Sequence, residues 1–177
     1  MTGPDHVGNP GATGTEPFVD EYRSLMSSFP TGVAVITSSL ENGAPQGLTC
    51  SSLTSVTLSP PTLLVCLEAS SVTLAVAARC GAFAVNLLHA RAAGTARLFS
   101  TRNVDRFAQV RWQHTQHCGM PWLVDDVLAV AECQLGDVQV VGTHAVVFGQ
   151  VEAITLFDGA PLLYGRRQFA SWPMGEE

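Results

Sequence analysis

The chain has 177 residues, of which 46% are hydrophobic and only 14% are charged, and its formal net charge at pH 7 is −6. This length fits a single domain with a substantial core, and the high apolar content predicts further burial in an oligomer. All nine basic residues are Arg and none is Lys, so lysine Schiff-base and P-loop chemistry are excluded, and the lack of a basic run argues against nucleic-acid binding.

Cysteine usage and hydropathy predict the compartment. The five cysteines are widely spaced, odd in number and without a Cys-x-x-Cys pair, which favours reduced thiols over a disulfide framework. No apolar run approaches the ~18 residues that a membrane helix needs, and no signal peptide is recognisable. We therefore expect a cytoplasmic protein that does not associate with a membrane.

The first predicted elements follow a polar leader. Residues 1–17 contain four Gly and three Pro, which predicts a disordered tail, and residues 18–177 would form one folded domain. Apolar residues recur at helical spacing over 18–29, and Pro30 ends that helix. A buried strand is predicted over 33–37, and Asn42 followed by Gly43 indicates a hairpin turn.

The next stretch, 47–61, is unusually rich in hydroxyl groups. Seven Ser and Thr residues lie between Thr49 and Ser59, interleaved with apolar residues. One interpretation is a surface strand, because Thr has good strand propensity. The other is a phosphate site, because short hydroxyls and backbone N–H groups bind phosphate without a lysine.

Helices and strands then alternate. Ser70 is a candidate N-cap for a helix over 71–79 that Gly81 would end. A strand over 82–88 follows, with Asn86 as its polar exception, then a helix over 90–99 and a short one near 103–108. Residues 109–127 are expected to be irregular.

The last part of the chain consists of strands at about 128–135, 138–142 and 144–154, followed by 162–164 and a tail. Strands in series with hairpin turns favour an antiparallel barrel over a doubly wound sheet. A Rossmann glycine fingerprint is missing, so any dinucleotide would bind in another way.

Several isolated residues have two interpretations. His114, His117 and Cys118 resemble a metal site but lack an evident fourth ligand, so we predict no metal. His144 is either a structural histidine or a group that faces a cleft. The aromatic rings of Trp112 and Trp122 fit a core or an interface better than a stacking site.

Five segments together resemble one family. They are FPTGVAVIT at 29–37, GLTCSSLTSV at 47–56 with the Pro pair and VCL at 65–67, GAFAVNL at 81–87, GTHAVVFGQV at 142–151 and PLLYGRR at 161–167. In order and spacing they resemble the short-chain flavin reductases with the FMN-binding split-barrel fold. These are the reductase components of two-component flavin monooxygenases, and the likeness is greatest to those of aromatic-polyketide tailoring in antibiotic biosynthesis.

The resemblance implies a mainly β, Greek-key split barrel with short helices, assembled as a homodimer with flavin near the interface. It implies that flavin is held by nine residues: Thr31, Thr49, Cys50 (through its backbone), Ser51, Ser52, Ser55, Ser70, Thr73 and Asn86. His144 would be the catalytic residue, and NADH or NADPH would contact His144, Tyr164, Arg166 and Arg167. The last three could equally form an exposed tail.

Two positions depart from the family pattern. Ser51 stands where the family often has Asn, and Thr143 replaces the acid of a Gly-Asp-His triplet. The loss of the acid leaves its role in doubt but not that of His144.

The expected function is an NAD(P)H:flavin oxidoreductase that reduces FMN, or FAD, and supplies reduced flavin by diffusion to a partner monooxygenase. Hydride transfer between stacked rings needs little acid–base help, so the absence of a catalytic triad is no objection. The main alternative is a split barrel that binds flavin without catalysis. An oxidase of a phosphorylated pyridine is disfavoured because the hydroxyl-rich stretch contains no basic side chain.

Overall fold

The computed structural model describes residues 16–40 and 43–173. Most of the predicted tail, 1–17, and Asn42 of the predicted turn therefore lie outside the described residues. In chain order the elements are α1 (Glu16–Ser27), β1 (Thr31–Gly32), β2 (Ala34–Ser39), β3 (Pro45–Cys50), β4 (Thr54–Leu58), β5 (Pro61–Glu68), α2 (Val72–Cys80), β6 (Ala82–Leu88), α3 (Ala93–Ser100), a 3₁₀ turn (Phe107–Gln109), β7 (Trp112–His114), β8 (Pro121–Leu123), β9 (Val127–Val141), β10 (His144–Leu156), β11 (Leu162–Gly165) and β12 (Gln168–Ser171).

A seven-stranded antiparallel sheet is the centre of the fold. Its strand order is β3-β2-β6-β9-β10-β5-β4. The two edge strands, β3 and β4, are consecutive in the chain and joined by residues 51–53 alone, so the sheet must curl until its edges meet. The Ser52 hydroxyl spans this split, because it accepts from the Cys66 N–H at 2.9 Å and donates to the Cys66 carbonyl at 3.0 Å. The predicted mainly β split barrel is confirmed.

The core fills both faces of the curled sheet. One apolar cluster lies under α3 and includes Leu88, Phe99 and Leu123, and the other includes Ile36 and Phe83. Every residue of β2 is buried, as expected for a strand in the middle of the sheet. Such a core fixes the strand ends that carry the polar residues.

Three predicted elements needed correction. The strands expected at 128–135 and 138–142 are one strand, β9, because a bulge opposite Phe148 accommodates Gly136 without interrupting the pairing with β10. Residues 109–127 are not wholly irregular, since β7 and β8 form a short hairpin. Helix α2 begins one residue later than expected, because Ser71 rather than Ser70 is its N-cap and accepts from the Leu74 N–H at 3.2 Å.

Helix α1 is present where the apolar spacing predicts it, but its apolar side chains face outward. Phe18, Tyr22, Leu25 and Met26 are all exposed within the single chain. The helix is tied to the fold at its end, where the Arg166 N–H donates to the Ser27 carbonyl at 2.6 Å. Within the described part of the chain, no helix is long and apolar enough to cross a membrane.

Candidate functional site

A groove of about 730 Å³ runs between the start of α2, the ends of β3 and β5, the start of β10 and the segment after α3. Four predicted site residues from three separate segments line it: Thr49, Ser70, Thr73 and His144. They meet because the register of the sheet brings the end of β5 beside the start of β10, with His144 opposite Glu68. The groove is therefore the main candidate site.

The N-terminus of α2 forms one end of the groove. Ser70 precedes the helix, Ser71 caps it, and Thr73 lies in its first turn. The backbone N–H groups and the helix dipole make such an end favourable for an anion. The helix contains no acidic residue in its first turn to oppose this.

Two arginines that the sequence analysis did not single out line the same groove. Arg102 forms a 2.9 Å ion pair with Glu68, and Arg106 donates to the Gly47 carbonyl at 2.6 Å. Their signal in the sequence is weak: two basic residues four apart, in a segment predicted only to contain a short helix. Because Arg106 is held by the backbone of β3, it orders the loop after α3 against the hydroxyl-rich strand.

His144 opens β10 and is exposed to the groove. Its ring Nδ1 lies 3.0 Å from the hydroxyl of Thr143. The imidazole can therefore offer its other nitrogen to a ligand in the groove, as a donor or as an acceptor depending on its tautomer.

A second cavity of about 360 Å³ adjoins the groove and shares Thr49 and Ser100 with it. It brings together the predicted residues Ser51, Tyr164 and Arg167.

Aromatic rings form one wall of this second cavity. The Tyr164 and Phe169 rings lie 5.2 Å apart, and the guanidinium of Arg97 lies 4.9 Å from the centre of the Phe169 ring. Predicted residue Thr31 is opposite Tyr164 in the β1–β11 pair. The two cavities form one continuous surface of polar and apolar residues.

Asn86 does not belong to this surface. It is fully buried, donates to the Val35 carbonyl and the Thr37 hydroxyl, and accepts from the Leu123 N–H. These bonds occupy its amide inside the core, where it joins β2, β6 and β8. The structure therefore does not support the predicted contact between Asn86 and the flavin ring.

The remaining predicted residues also have other surroundings. Ser52 closes the split of the barrel, and Cys50 is buried beside it with its thiol 3.1 Å from the Ser52 hydroxyl. Ser55 lies on β4 and lines a separate apolar cavity of about 330 Å³. Arg166 contacts the end of α1 through its backbone. Ser52 and Ser55 are close to Thr49 in the sequence, but they do not line the groove.

The loop with His114, His117 and Cys118 is organised by one buried carboxylate. Glu132 accepts from the N–H groups of His117 and Cys118 at 3.1 and 2.7 Å. Burial alone would raise the pKa of Glu132, but its hydrogen bonds with the Cys118 N–H, Thr115 and His117 lower that pKa on balance. Between residues 16 and 173, leaving out 41 and 42, no group of three potential ligands lies together as a metal site.

Three of the five thiols are poorly suited to nucleophilic chemistry. Burial, followed by the nearby Glu132, raises the pKa of Cys118 to about 11. Burial also raises the pKa of Cys133 to about 12 and that of Cys50 above its ordinary value. Since the thiolate is the reactive form, these raised pKa values disfavour nucleophilic chemistry at the three cysteines near neutral pH.

Comparison with known proteins identifies the family of this chain. Residues 26–173 match the flavin reductase like domain. The chain is 55% identical to a flavin reductase (NADPH) of Lentzea aerocolonigenes over 86% of this chain and 89% of that protein. It is 34% identical to HsaB of Rhodococcus jostii, the reductase subunit of a flavin-dependent monooxygenase, over 84% of this chain and 75% of that protein.

A solved structure agrees in fold and in sequence. The NADH:FAD oxidoreductase SgcE6 of Streptomyces globisporus, in complex with NAD and FAD fragments, superimposes with a TM-score of 0.83 at 29% identity and covers 90% of this chain and 95% of that one. With the domain match over most of the chain, these findings show that this protein belongs to the flavin reductase-like family.

Proposed function

We propose that the protein is an NAD(P)H:flavin oxidoreductase that reduces FMN, or FAD, and supplies reduced flavin to a partner monooxygenase. The observation that carries this proposal is the groove in which Thr49, Ser70, Thr73 and His144 meet at the start of a helix. Membership of the family supports it independently.

The phosphate of the flavin would lie at the start of α2. The hydroxyls of Ser70 and Ser71 and the dipole of the helix favour an anion there. Arg102 would add positive charge at the groove wall. This donor set fits a phosphate without a lysine, which the chain lacks.

The isoalloxazine ring would extend from the phosphate toward the second cavity, past Thr49 and Ser51. When bound, the flavin supplies the electron acceptor for a hydride. The task of the chain is then to hold two flat rings in contact and to limit water between them. Thr31 is proposed to flank the ring from β1.

NADH or NADPH would approach from the side of His144, with Tyr164 and Arg167 at the second cavity as further contacts. His144 would orient the nicotinamide by one hydrogen bond from its ring. Arg166 is retained as a candidate for the dinucleotide phosphates because its side chain is exposed beside Arg167.

We propose FMN as the flavin and FAD as the alternative. A further cavity of about 560 Å³ continues the groove beyond Gln46 and Arg106 and is lined by Phe107 and Trp112. This extension is the observation that favours FAD, because it offers an aromatic wall to an adenine ring. Comparing kcat/KM for FMN and FAD, in the wild type and in Trp112→Ala, separates the two: only FAD should lose efficiency in the variant.

The partner would be a flavin-dependent monooxygenase of an antibiotic-forming or aromatic pathway. HsaB, the reductase subunit of a flavin-dependent monooxygenase, supports the monooxygenase class of the partner. Reduced flavin diffuses, so the two proteins need no contact. A cytoplasmic location fits the five free thiols.

A homodimer is proposed from two exposed apolar surfaces. Phe18 and Leu25 on α1 are 62% and 66% exposed, and Ile154 and Leu156 at the end of β10 are 63% and 75% exposed. A monomer rarely leaves this much apolar surface in water. Light scattering at micromolar concentration should give twice the chain mass, and an active monomer would contradict the proposal.

Anaerobic mixing of the protein with FMN and NADH or NADPH tests the activity. The visible absorbance band of the flavin should bleach with multiple turnovers. If the protein binds FMN but leaves it oxidised with both nicotinamides, the non-catalytic alternative is correct.

A further inference from the structure

The turn before β10 holds one side chain against the ring of His144. The Thr143 hydroxyl lies 3.0 Å from His144 Nδ1. The backbone of this turn is itself fixed, because the Ala69 N–H donates to the Thr143 carbonyl at 3.0 Å and Gly142 adopts a positive φ of 59°. Thr143 is therefore positioned by the fold and not only by its chain neighbour.

A threonine hydroxyl differs from a carboxylate in what it can offer a histidine. A carboxylate only accepts, so it holds the imidazole proton on the nitrogen that faces it. A hydroxyl can donate, which leaves that nitrogen unprotonated and keeps the proton on the other one. The residue at 143 thus selects the tautomer of His144.

The lining of the groove indicates which way the hydroxyl bond runs. Glu68 is opposite His144 in the β5–β10 pair, lines the same groove and is held there by Arg102. An N–H on the groove side suits a groove wall that carries this carboxylate, because a carboxylate can only accept. Asp105 and Arg106 are the other charged groups lining this groove.

We propose that Thr143 is a positioning residue that donates to Nδ1 of His144 and fixes the neutral ring as the Nε2–H tautomer. The catalytic consequence rests on the proposed function. Nε2 then carries a proton in both the neutral and the cationic ring, so His144 presents a donor to a carbonyl group of the ligand, such as a carboxamide, at any pH.

Nitrogen NMR on uniformly ¹⁵N-labelled protein tests the tautomer without any activity. The chain has five histidines, and the signals of His144 are assigned by their loss in His144→Gln. Above pH 8, His144 should show an unprotonated Nδ1 and a protonated Nε2. Thr143→Ser should retain this signature, whereas Thr143→Val should give averaged shifts of a tautomer mixture. A protonated Nδ1 in the wild type would overturn the proposal.

The pH dependence of kcat/KM for the nicotinamide tests the consequence. In Thr143→Asp the carboxylate should keep the proton of the neutral ring on Nδ1, so Nε2 carries a proton only while the ring is cationic and loses it as pH rises. Relative to wild type, this variant should lose about tenfold in kcat/KM between about pH 6 and pH 8.5, the worth of one hydrogen bond. Thr143→Val should lose about threefold at all pH values, and Thr143→Ser should restore activity.

A double variant separates the tautomer from the added charge. In Thr143→Asp combined with His144→Ala, the extra pH dependence should vanish. If it persists, or if Thr143→Asp follows the wild-type profile, the proposal is wrong. A protein without NAD(P)H:flavin turnover would refute the proposed function, while the NMR result would still decide the tautomer.

Discussion

The polar core around Asn86 and Ser52 and the groove at the start of α2 contain the same kinds of side chain but have opposite surroundings. Asn86 makes three hydrogen bonds inside the protein, and the hydroxyl of Ser52 makes two to Cys66. Ser70 and His144 instead line an open groove. Polar residues with internal partners serve the fold, and groove residues such as Ser70 and His144 are available to a ligand.

This difference has a simple physical origin. A buried amide or hydroxyl is stable only when its hydrogen bonds are satisfied, so the fold provides partners for it. At the edge of the sheet, water or a ligand can supply the partner instead. Substitutions in the two regions should therefore give different kinds of defect, in stability in one and in ligand affinity in the other.

The largest effect should come from Asn86→Ala. The change leaves the Leu123 N–H, the Val35 carbonyl and the Thr37 hydroxyl with a lost partner in the core. At about 1–3 kcal/mol per buried group, the free energy of unfolding should fall by about 3 kcal/mol or more. Urea unfolding measures this, with the exposed Gln168→Ala as the control. Unchanged stability together with lost flavin binding would restore Asn86 to the site.

Ser52→Ala should give the next largest effect, about 2 kcal/mol of unfolding free energy, because the Cys66 N–H and carbonyl lose their bonds across the split of the barrel. Affinity for FMN and for riboflavin should change by the same factor, since the hydroxyl is occupied within the fold. Ser51→Ala, in the exposed neighbour, is the matched control for stability. A selective loss of FMN affinity in Ser52→Ala would place this hydroxyl at the phosphate.

Sequence patterns predicted the fold better than the site. Three features follow from local chemistry and are present in the structure: the strands in series, Gly81 as a helix end and the hairpin at Gly43. The surroundings of Ser52 and Asn86 depend instead on residues 14 to 51 positions away. No local pattern carries that information, and the resemblance to the family supplied residue types without their partners.

The arginines of the groove show the same limit of sequence-based prediction, because neither was recognised as a site residue from the sequence. Arg102 reaches the site only because the loop after α3 folds over β3, where Arg106 binds the Gly47 carbonyl. A hydroxyl-rich segment was recognisable in the sequence, whereas a positive charge delivered from another loop was not. The strength of the groove as an anion site therefore had to be read from the structure.

Arg102→Gln should weaken the binding of FMN by about 1 kcal/mol. This is less than the loss of a buried contact would cost, because the Arg102 side chain is largely exposed and salt screens its charge. Riboflavin, which has no phosphate, should bind as in the wild type. Fluorescence titration of both ligands at low and high salt measures the difference. Arg91→Gln, outside the groove, is the control, and an equal loss for both ligands would mean that Arg102 does not face the phosphate.

The smallest effect concerns Glu132, a further polar group occupied within the fold. Its pKa is lowered below an ordinary value near 4.5, so the folded state binds its proton less readily than the unfolded chain does. The resulting stabilisation is fully present above about pH 4.5 and is lost as pH falls through the lowered pKa. The stability difference between wild type and Glu132→Gln should therefore shrink on acidification. A constant difference from pH 7 to pH 3 would show that the charge contributes nothing.

The most direct test of the central claim is the separation of two functions at His144. His144→Ala should lower kcat/KM for the nicotinamide about 5- to 150-fold, which corresponds to about 1–3 kcal/mol lost in the transition state. The FMN titration should remain near wild type, because the proposed phosphate contacts lie at the start of α2 and not at β10. Loss of FMN binding, or early melting with normal kinetics, would contradict the account, since His144 would then be a flavin contact or a structural residue.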